Sequence, residues 1–116
     1  MTCDMQKVIM LPRMPGIRNC CFTRRLVQFH KTFSPLGGKR KGGKPMGLLW
    51  DESVSGRNAD DVANTHTKFM RHPNFRDKGR FLIYADNCSA QNNNWTVFTA
   101  MVNEVNREGG PDEIII

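Results

Sequence analysis

What this chain lacks first is any cysteine spacing that suits the residue's usual structural uses. The four cysteines are Cys3, Cys20, Cys21 and Cys88, two of them adjacent and none in a C-x-x-C pair. Such a set makes no disulfide framework and offers no frame for a zinc ribbon. The three histidines, His30, His66 and His72, do not supply one either. Two of them are six residues apart and would point in different directions on one helix. Long apolar runs are also missing: none approaches the roughly 18 residues of a membrane span, so no membrane partner is expected. The start, Met1-Thr2-Cys3-Asp4, lacks the basic region and apolar stretch of a secretory leader. A nuclear or cytoplasmic location is therefore the expectation. No internal repeat is present. Acidic charge is in deficit: 11 Asp and Glu face 17 Lys and Arg, leaving a formal charge of +6. That balance favours polyanionic partners, DNA first and RNA second.

What remains is enough for one small folded domain. The chain has 116 residues, of which 39% are hydrophobic and 24% charged. That reads as a globular chain rather than a disordered one. The most distinctive low-complexity stretch is Gly37-Gly38-Lys39-Arg40-Lys41-Gly42-Gly43-Lys44-Pro45, whose glycines and cations predict an exposed loop. Either side of it reads as strand, over residues 26–33 and 46–50, so the two should form an antiparallel hairpin. The loop is a candidate phosphate contact through Lys39, Arg40, Lys41 and Lys44, and equally a solvated linker.

Upstream, Val8-Ile9-Met10-Leu11 is an apolar run broken by Pro12 and by Pro15-Gly16. Downstream, Asn58 is a good N-cap with Asp61 at the third position after it. Val62, Ala63, His66, Phe69 and Met70 recur at helical spacing, and Pro73 is a stop signal. One amphipathic helix over Ala59–Arg71 follows, with His66 as a core histidine. Phe81-Leu82-Ile83-Tyr84-Ala85 is an unbroken apolar run, which predicts a central strand buried on both faces. A second helix should start near Asn93 or Asn94, run to about Arg107 and present Trp95, Phe98, Met101, Val102 and Val105 to the core, with Gly109-Gly110 as its stop signal. Glu113-Ile114-Ile115-Ile116 begins a further strand. The order is partial strand, strand, strand, helix, strand, helix, strand. It predicts an α/β fold, a mixed sheet with helices packed on it, in the order of an RNase H-like core. Both chain ends fall inside apparent strands, so residues 1–116 are expected to form a single partial domain, incomplete at both ends.

The sharpest chemical feature is Asp86-Asn87-Cys88-Ser89-Ala90-Gln91-Asn92-Asn93-Asn94. Asp86 stands at the carboxyl end of the apolar strand, where α/β sheets gather ligands. A carboxylate held there can bind a divalent metal, although Asp-Asn at a strand end is also ordinary turn chemistry. Asp4, ahead of the first apolar run, is the second candidate. Adjacent strands would bring the two carboxylates together, and a cation between them would offset their repulsion. Asp51 and Glu52 end the third strand, either as a supporting pair or as a plain exposed strand end.

These residues resemble a known family. Asp4-Met5-Gln6-Lys7, Phe22-Thr23-Arg24-Arg25-Leu26, Trp50-Asp51-Glu52 with Gly56-Arg57-Asn58, and Asp86-Asn87-Cys88-Ser89-Ala90-Gln91-Asn92 look like successive blocks of an uncharacterised, mobile-element-derived domain of animal genomes. Its members are similar to DDE transposases and retroviral integrases. The resemblance spans nearly the whole chain, and its most specific block runs from Asp86 to Asn92. It implies a truncated RNase H-like domain with Asp4 and Asp86 as the first two metal-binding, catalytic acids. Mg²⁺ or Mn²⁺ is the implied cofactor, and two-metal phosphoryl transfer on DNA, of strand-transfer or nuclease type, the implied chemistry. Arg24, Arg25, Lys39, Arg40, Lys41 and Lys44 would hold phosphates. The family's later segment, expected to carry a third ligand, has no counterpart, so this fragment is expected to be inactive alone. A non-catalytic nucleic-acid-binding or assembly module is the competing reading, and a gene remnant without function the plainest one.

Overall fold

The computed structural model describes residues 1–13, 16, 24–36 and 43–116. Its elements run β1 (Thr2–Met5), β2 (Ile9–Leu11), β3 (Leu26–Ser34), β4 (Met46–Asp51), α1 (Ala59–Arg71), β5 (Arg80–Leu82), α2 (Trp95–Val105) and β6 (Glu113–Ile115). β3 is the longest strand and organises one half of the molecule. β1 and β2 pair with it antiparallel one after the other, Cys3 opposite Phe33 and Met10 opposite Val27. β4 pairs with its other edge, Phe29 opposite Trp50. β5 and β6 pair in parallel, Phe81 opposite Ile114.

A parallel bridge between Thr2 and Tyr84 joins the two halves. Cys3 N–H donates to the Tyr84 carbonyl at 2.9 Å, and Tyr84 N–H donates to the Met1 carbonyl at 2.7 Å. The strand order is therefore β4, β3, β1 with β2, β5, β6. The result is a mixed α/β fold, with an antiparallel hairpin side and a parallel side.

Both helices contribute to one core. Cys3, Phe33, Phe81 and Ile83 of the sheet side meet Val62, Phe69 and Met70 of α1 and Val97 and Met101 of α2. Phe33 and Phe69 stack with centroids 4.3 Å apart. α1 forms where the sequence places it. Asn58 accepts from Asp61 N–H while the Asp61 carboxylate accepts from Asn58 N–H, a complete capping box. His66 is a buried core histidine, as its position on the apolar face predicts.

Two expectations need correction. The segment around β5 is central in order but is not buried on both faces. Phe81 and Ile83 are buried while Leu82 and Tyr84 are exposed, because the core holding both helices lies on one side of the sheet. The apolar run thus carries a one-sided strand whose outward residues are also hydrophobic. The face of α2 also differs. Trp95 is 85% exposed, and Phe98 and Val102 are exposed with it, while Val97, Met101 and Glu104 point inward. Apolar residues occupy more than one side of this helix, so helical spacing alone does not select the packed side. The helix runs to Val105, close to the expected end at Arg107 and ahead of the Gly109-Gly110 stop signal. Gly110 packs so tightly under the helix end that a Cβ there would meet the Glu104 carbonyl.

Among the described residues, no helix is long and apolar enough to cross a membrane.

Candidate metal and nucleic-acid site

Asp4 lies on β1, opposite Thr32 of β3. On its other side runs the chain that follows β5. The bridged pair is Thr2 and Tyr84, in parallel, and two residues further along each chain stand Asp4 and Asp86. Strand alternation puts Asp4 on the exposed face with Thr2, away from the helices, whereas Asp86 lies beyond the bridged residue and its carboxylate accepts from the buried Asn92. Both acids are exposed. Each candidate acid therefore follows a bridged residue by two positions.

The turn after Asp86 is built by its own polar groups. The N–H groups of Gln91, Asn92 and Asn93 all donate to the Cys88 carbonyl, at 3.0, 2.8 and 3.1 Å. Asn93 Nδ2 donates to Asn87 Oδ1 at 2.6 Å. Asn94 Nδ2 donates to the Ser89 carbonyl, and its Oδ1 caps α2 by accepting from Val97 N–H at 3.0 Å. Two of the asparagines thus serve turn geometry and helix capping.

Asn92 is different. It is 4% exposed, and its Nδ2 donates to Asp86 Oδ1 at 2.6 Å. Its Oδ1 accepts from Lys31 Nζ at 3.3 Å. One side-chain amide links the Asp86 carboxylate to the buried Lys31 ammonium, and these two bonds fix which end is nitrogen.

Lys31 is the residue that sequence reasoning missed. It is completely buried on β3, with Nζ 5.8 Å from the Phe33 ring centroid. Burial pulls its pKa down to about 8, against the attraction of Cys3, Asp86 and Asp4. Among the described residues it forms no ion pair. A signal existed. Strand alternation puts Lys31 on the same side as Phe29 and Phe33, an inward parity at which lysine is rare unless it has a partner.

Next to Lys31 lies a buried Cys3–His66 contact, Sγ to Nε2 at 3.8 Å. His66 Nδ1 donates to the Val62 carbonyl at 3.0 Å, so Nε2 is the acceptor and the Cys3 thiol the donor. Burial raises the pKa of the thiol and lowers that of the imidazole, the latter to about 4. Both groups are neutral at pH 7, and the pair serves the core. The described cysteines, Cys3 and Cys88, are free.

Beside Asp86 opens a cleft of about 320 Å³, lined in part by Tyr84, Asn87, Asn93, Phe98 and Ile116. It combines exposed aromatic rings with amide groups at the edge of the acid pair.

Arg24 and Arg25 are not brought together with Lys44. Arg24 and Arg25 precede β3, whereas Lys44 precedes β4, whose first residue, Met46, pairs with Phe33 near the far end of β3. Residues 26 and 33 are seven steps apart, roughly 23 Å at about 3.3 Å per residue. Arg24 and Lys44 are exposed and Arg25 is half-buried. Lys39, Arg40 and Lys41 lie outside the described residues, as do Cys20 and Cys21. Asp51 and Glu52 finish their strand. Asp51 accepts from Ser53 N–H at 2.9 Å, and Glu52 Oε1 accepts from Val27 N–H at 3.2 Å. They lie along β3 from the acid pair, Asp51 opposite Gln28 and Asp4 opposite Thr32.

No group of three or more His, Cys, Asp or Glu side chains among the described residues is arranged to hold a metal. Comparison with family models, with curated proteins and with solved structures finds no match.

Proposed function

We propose that this chain is a basic nucleic-acid-binding domain, RNase H-like and derived from a DDE-type transposase. Its Asp4–Asp86 pair takes a divalent ion. The observation that carries this reading is the parallel bridge between Thr2 and Tyr84, each two residues before one of the acids. The strand order around it supports the same reading: three antiparallel strands, then parallel ones, with the acids on the two chains where the halves meet. A pair of exposed carboxylates is an all-oxygen donor set. That suits Mg²⁺ or Mn²⁺, which keep several waters and need only one or two protein carboxylates. Such an ion, when bound, activates a hydroxyl or water and offsets charge on a phosphate.

The protein's own groups have simpler roles. Asp4 and Asp86 hold the ion, Asn92 fixes one oxygen of Asp86 and leaves the other free, and the cations on the surface attract the phosphate backbone. Two carboxylates do not fix the geometry of a metal pair, so efficient strand cleavage is not part of this function.

The test is a Mn²⁺ titration followed by NMR. Broadening should centre on residues near Asp4 and Asp86 and be lost in Asp86→Asn. Broadening elsewhere, or none at millimolar Mn²⁺, would overturn the reading. Mn²⁺-dependent cleavage of DNA would instead mark the chain as an active nuclease.

A further inference from the structure

The proposed site lies over a positive charge that nothing else in the fold explains. Lys31 is buried as deeply as any residue in the protein, yet among the described residues no carboxylate pairs with it. A lone ammonium in a core is costly, and a methionine of similar length would fill the same space beside Phe33 without that cost. What surrounds Lys31 gives the charge a use. Asp4 and Asp86 are its anionic neighbours and attract it electrostatically. Asn92 connects it to one of them, accepting from Nζ and donating to Asp86 Oδ1.

Resting on the reading of Asp4 and Asp86 as a divalent-ion site, we infer that Lys31 is a resident counter-cation of that site, so that the acid pair takes one divalent ion, held weakly, rather than two. The physical argument is charge counting. Two carboxylates carry two negative charges, and the ammonium beneath them offsets one. A first divalent ion already overcompensates what remains. A second would approach a site of net positive charge, with the low-dielectric core keeping the ammonium poorly screened. The ammonium acts on the ion through space and through Asn92, which bonds both Lys31 and Asp86. Removing its charge should therefore strengthen ion binding, the opposite of what damage to the fold would do.

The experiment compares Mn²⁺ binding to the full chain and to Lys31→Gln at pH 7, with affinity and stoichiometry from calorimetry and electron paramagnetic resonance. Glutamine removes the charge but keeps a group able to donate to Asn92. Lys31→Met is a second variant that removes both and suits the buried position. The expected result is one weakly bound Mn²⁺ per wild-type chain, and binding about tenfold tighter in either variant, from Coulomb attraction at intermediate dielectric. Unchanged or weaker binding in a folded Lys31→Gln, or two ions bound to the wild type, overturns the inference and leaves the site itself standing. Absence of Mn²⁺ binding in the wild type and both variants overturns both.

Discussion

Arg71, in the last turn of α1, donates through Nε and Nη2 to the carboxylate of Glu104 in α2, and Glu104 is almost fully buried. Arg107 reaches the same carboxylate at 3.1 Å. Burial would raise the Glu104 pKa, but the hydrogen bonds from Arg71 and Arg107 outweigh it and hold the carboxyl below its usual range. A depressed carboxyl stabilises the fold above its unfolded pKa, about 4.5, and loses that contribution as pH falls through the folded value. Arg71→Ala leaves a buried carboxylate with one partner fewer and should cost about 1–2 kcal/mol at pH 7, by urea denaturation. The difference from wild type should shrink below pH 4. An equal difference at pH 7 and pH 3 would show that Arg71 acts through packing alone.

His66 makes the fold sensitive to acid at a higher pH than Glu104 does. Burial and the nearby Lys31 charge lower its pKa from 6.5 to about 4. The neutral ring fits the core, and the unfolded chain binds the proton more readily. Stability is therefore complete above pH 6.5 and is lost as pH falls towards 4. The loss is on the order of 3 kcal/mol over that window. His66→Gln can still donate to the Val62 carbonyl and accept from Cys3. It should be less stable than wild type at pH 7 but nearly flat from pH 6.5 to 4. A parallel pair of stability-versus-pH curves would rule this out.

How far the sequence specifies this fold varies by element. α1 is legible to the residue, since its capping box, apolar spacing and stop signal all agree. The hairpin of β3 and β4 is also legible, because turn residues bracket two apolar stretches. β5 and α2 mislead for the same reason. Leu82 and Tyr84 in one, and Trp95, Phe98 and Val102 in the other, are hydrophobic residues on outward faces, and no pattern rule marks them as such. The positions of Asp4 and Asp86 follow from strand order, whereas Lys31 and Asn92 lie in segments that read as plain strand and plain turn. Their meeting depends on a pairing 61 residues apart, which local pattern does not carry.

The misread face of α2 is testable directly. Trp95 is exposed, so Trp95→Ala should change stability by less than about 0.5 kcal/mol. Its fluorescence should be quenched by iodide in the folded state. Val97 is fully buried in the core, and Val97→Ala should cost about 1–3 kcal/mol. The reverse ranking would mean that α2 packs through Trp95, Phe98 and Val102 after all.

The last prediction concerns binding to nucleic acid. The chain carries a formal charge of +6, and its densest cluster of cations is Lys39, Arg40, Lys41 and Lys44. Arg24 and Arg25 lie at the opposite end of β3 from Lys44, so these residues cannot grip the same phosphate. Association with DNA or RNA should be weak and should fall steeply with salt, since each phosphate neutralised releases counterions. Replacing the four loop cations by serine should weaken binding to all sequences alike. It should also flatten the slope of log affinity against log salt by about 0.7–0.9 for each phosphate that is no longer neutralised. Arg24→Ser with Arg25→Ser should produce a separate and additive loss, because distant sites act independently. Fluorescence anisotropy with a labelled duplex and a labelled single strand, over a series of salt concentrations, measures both effects. Binding that ignores salt, or a loop variant with an unchanged slope, would remove the loop from the interface.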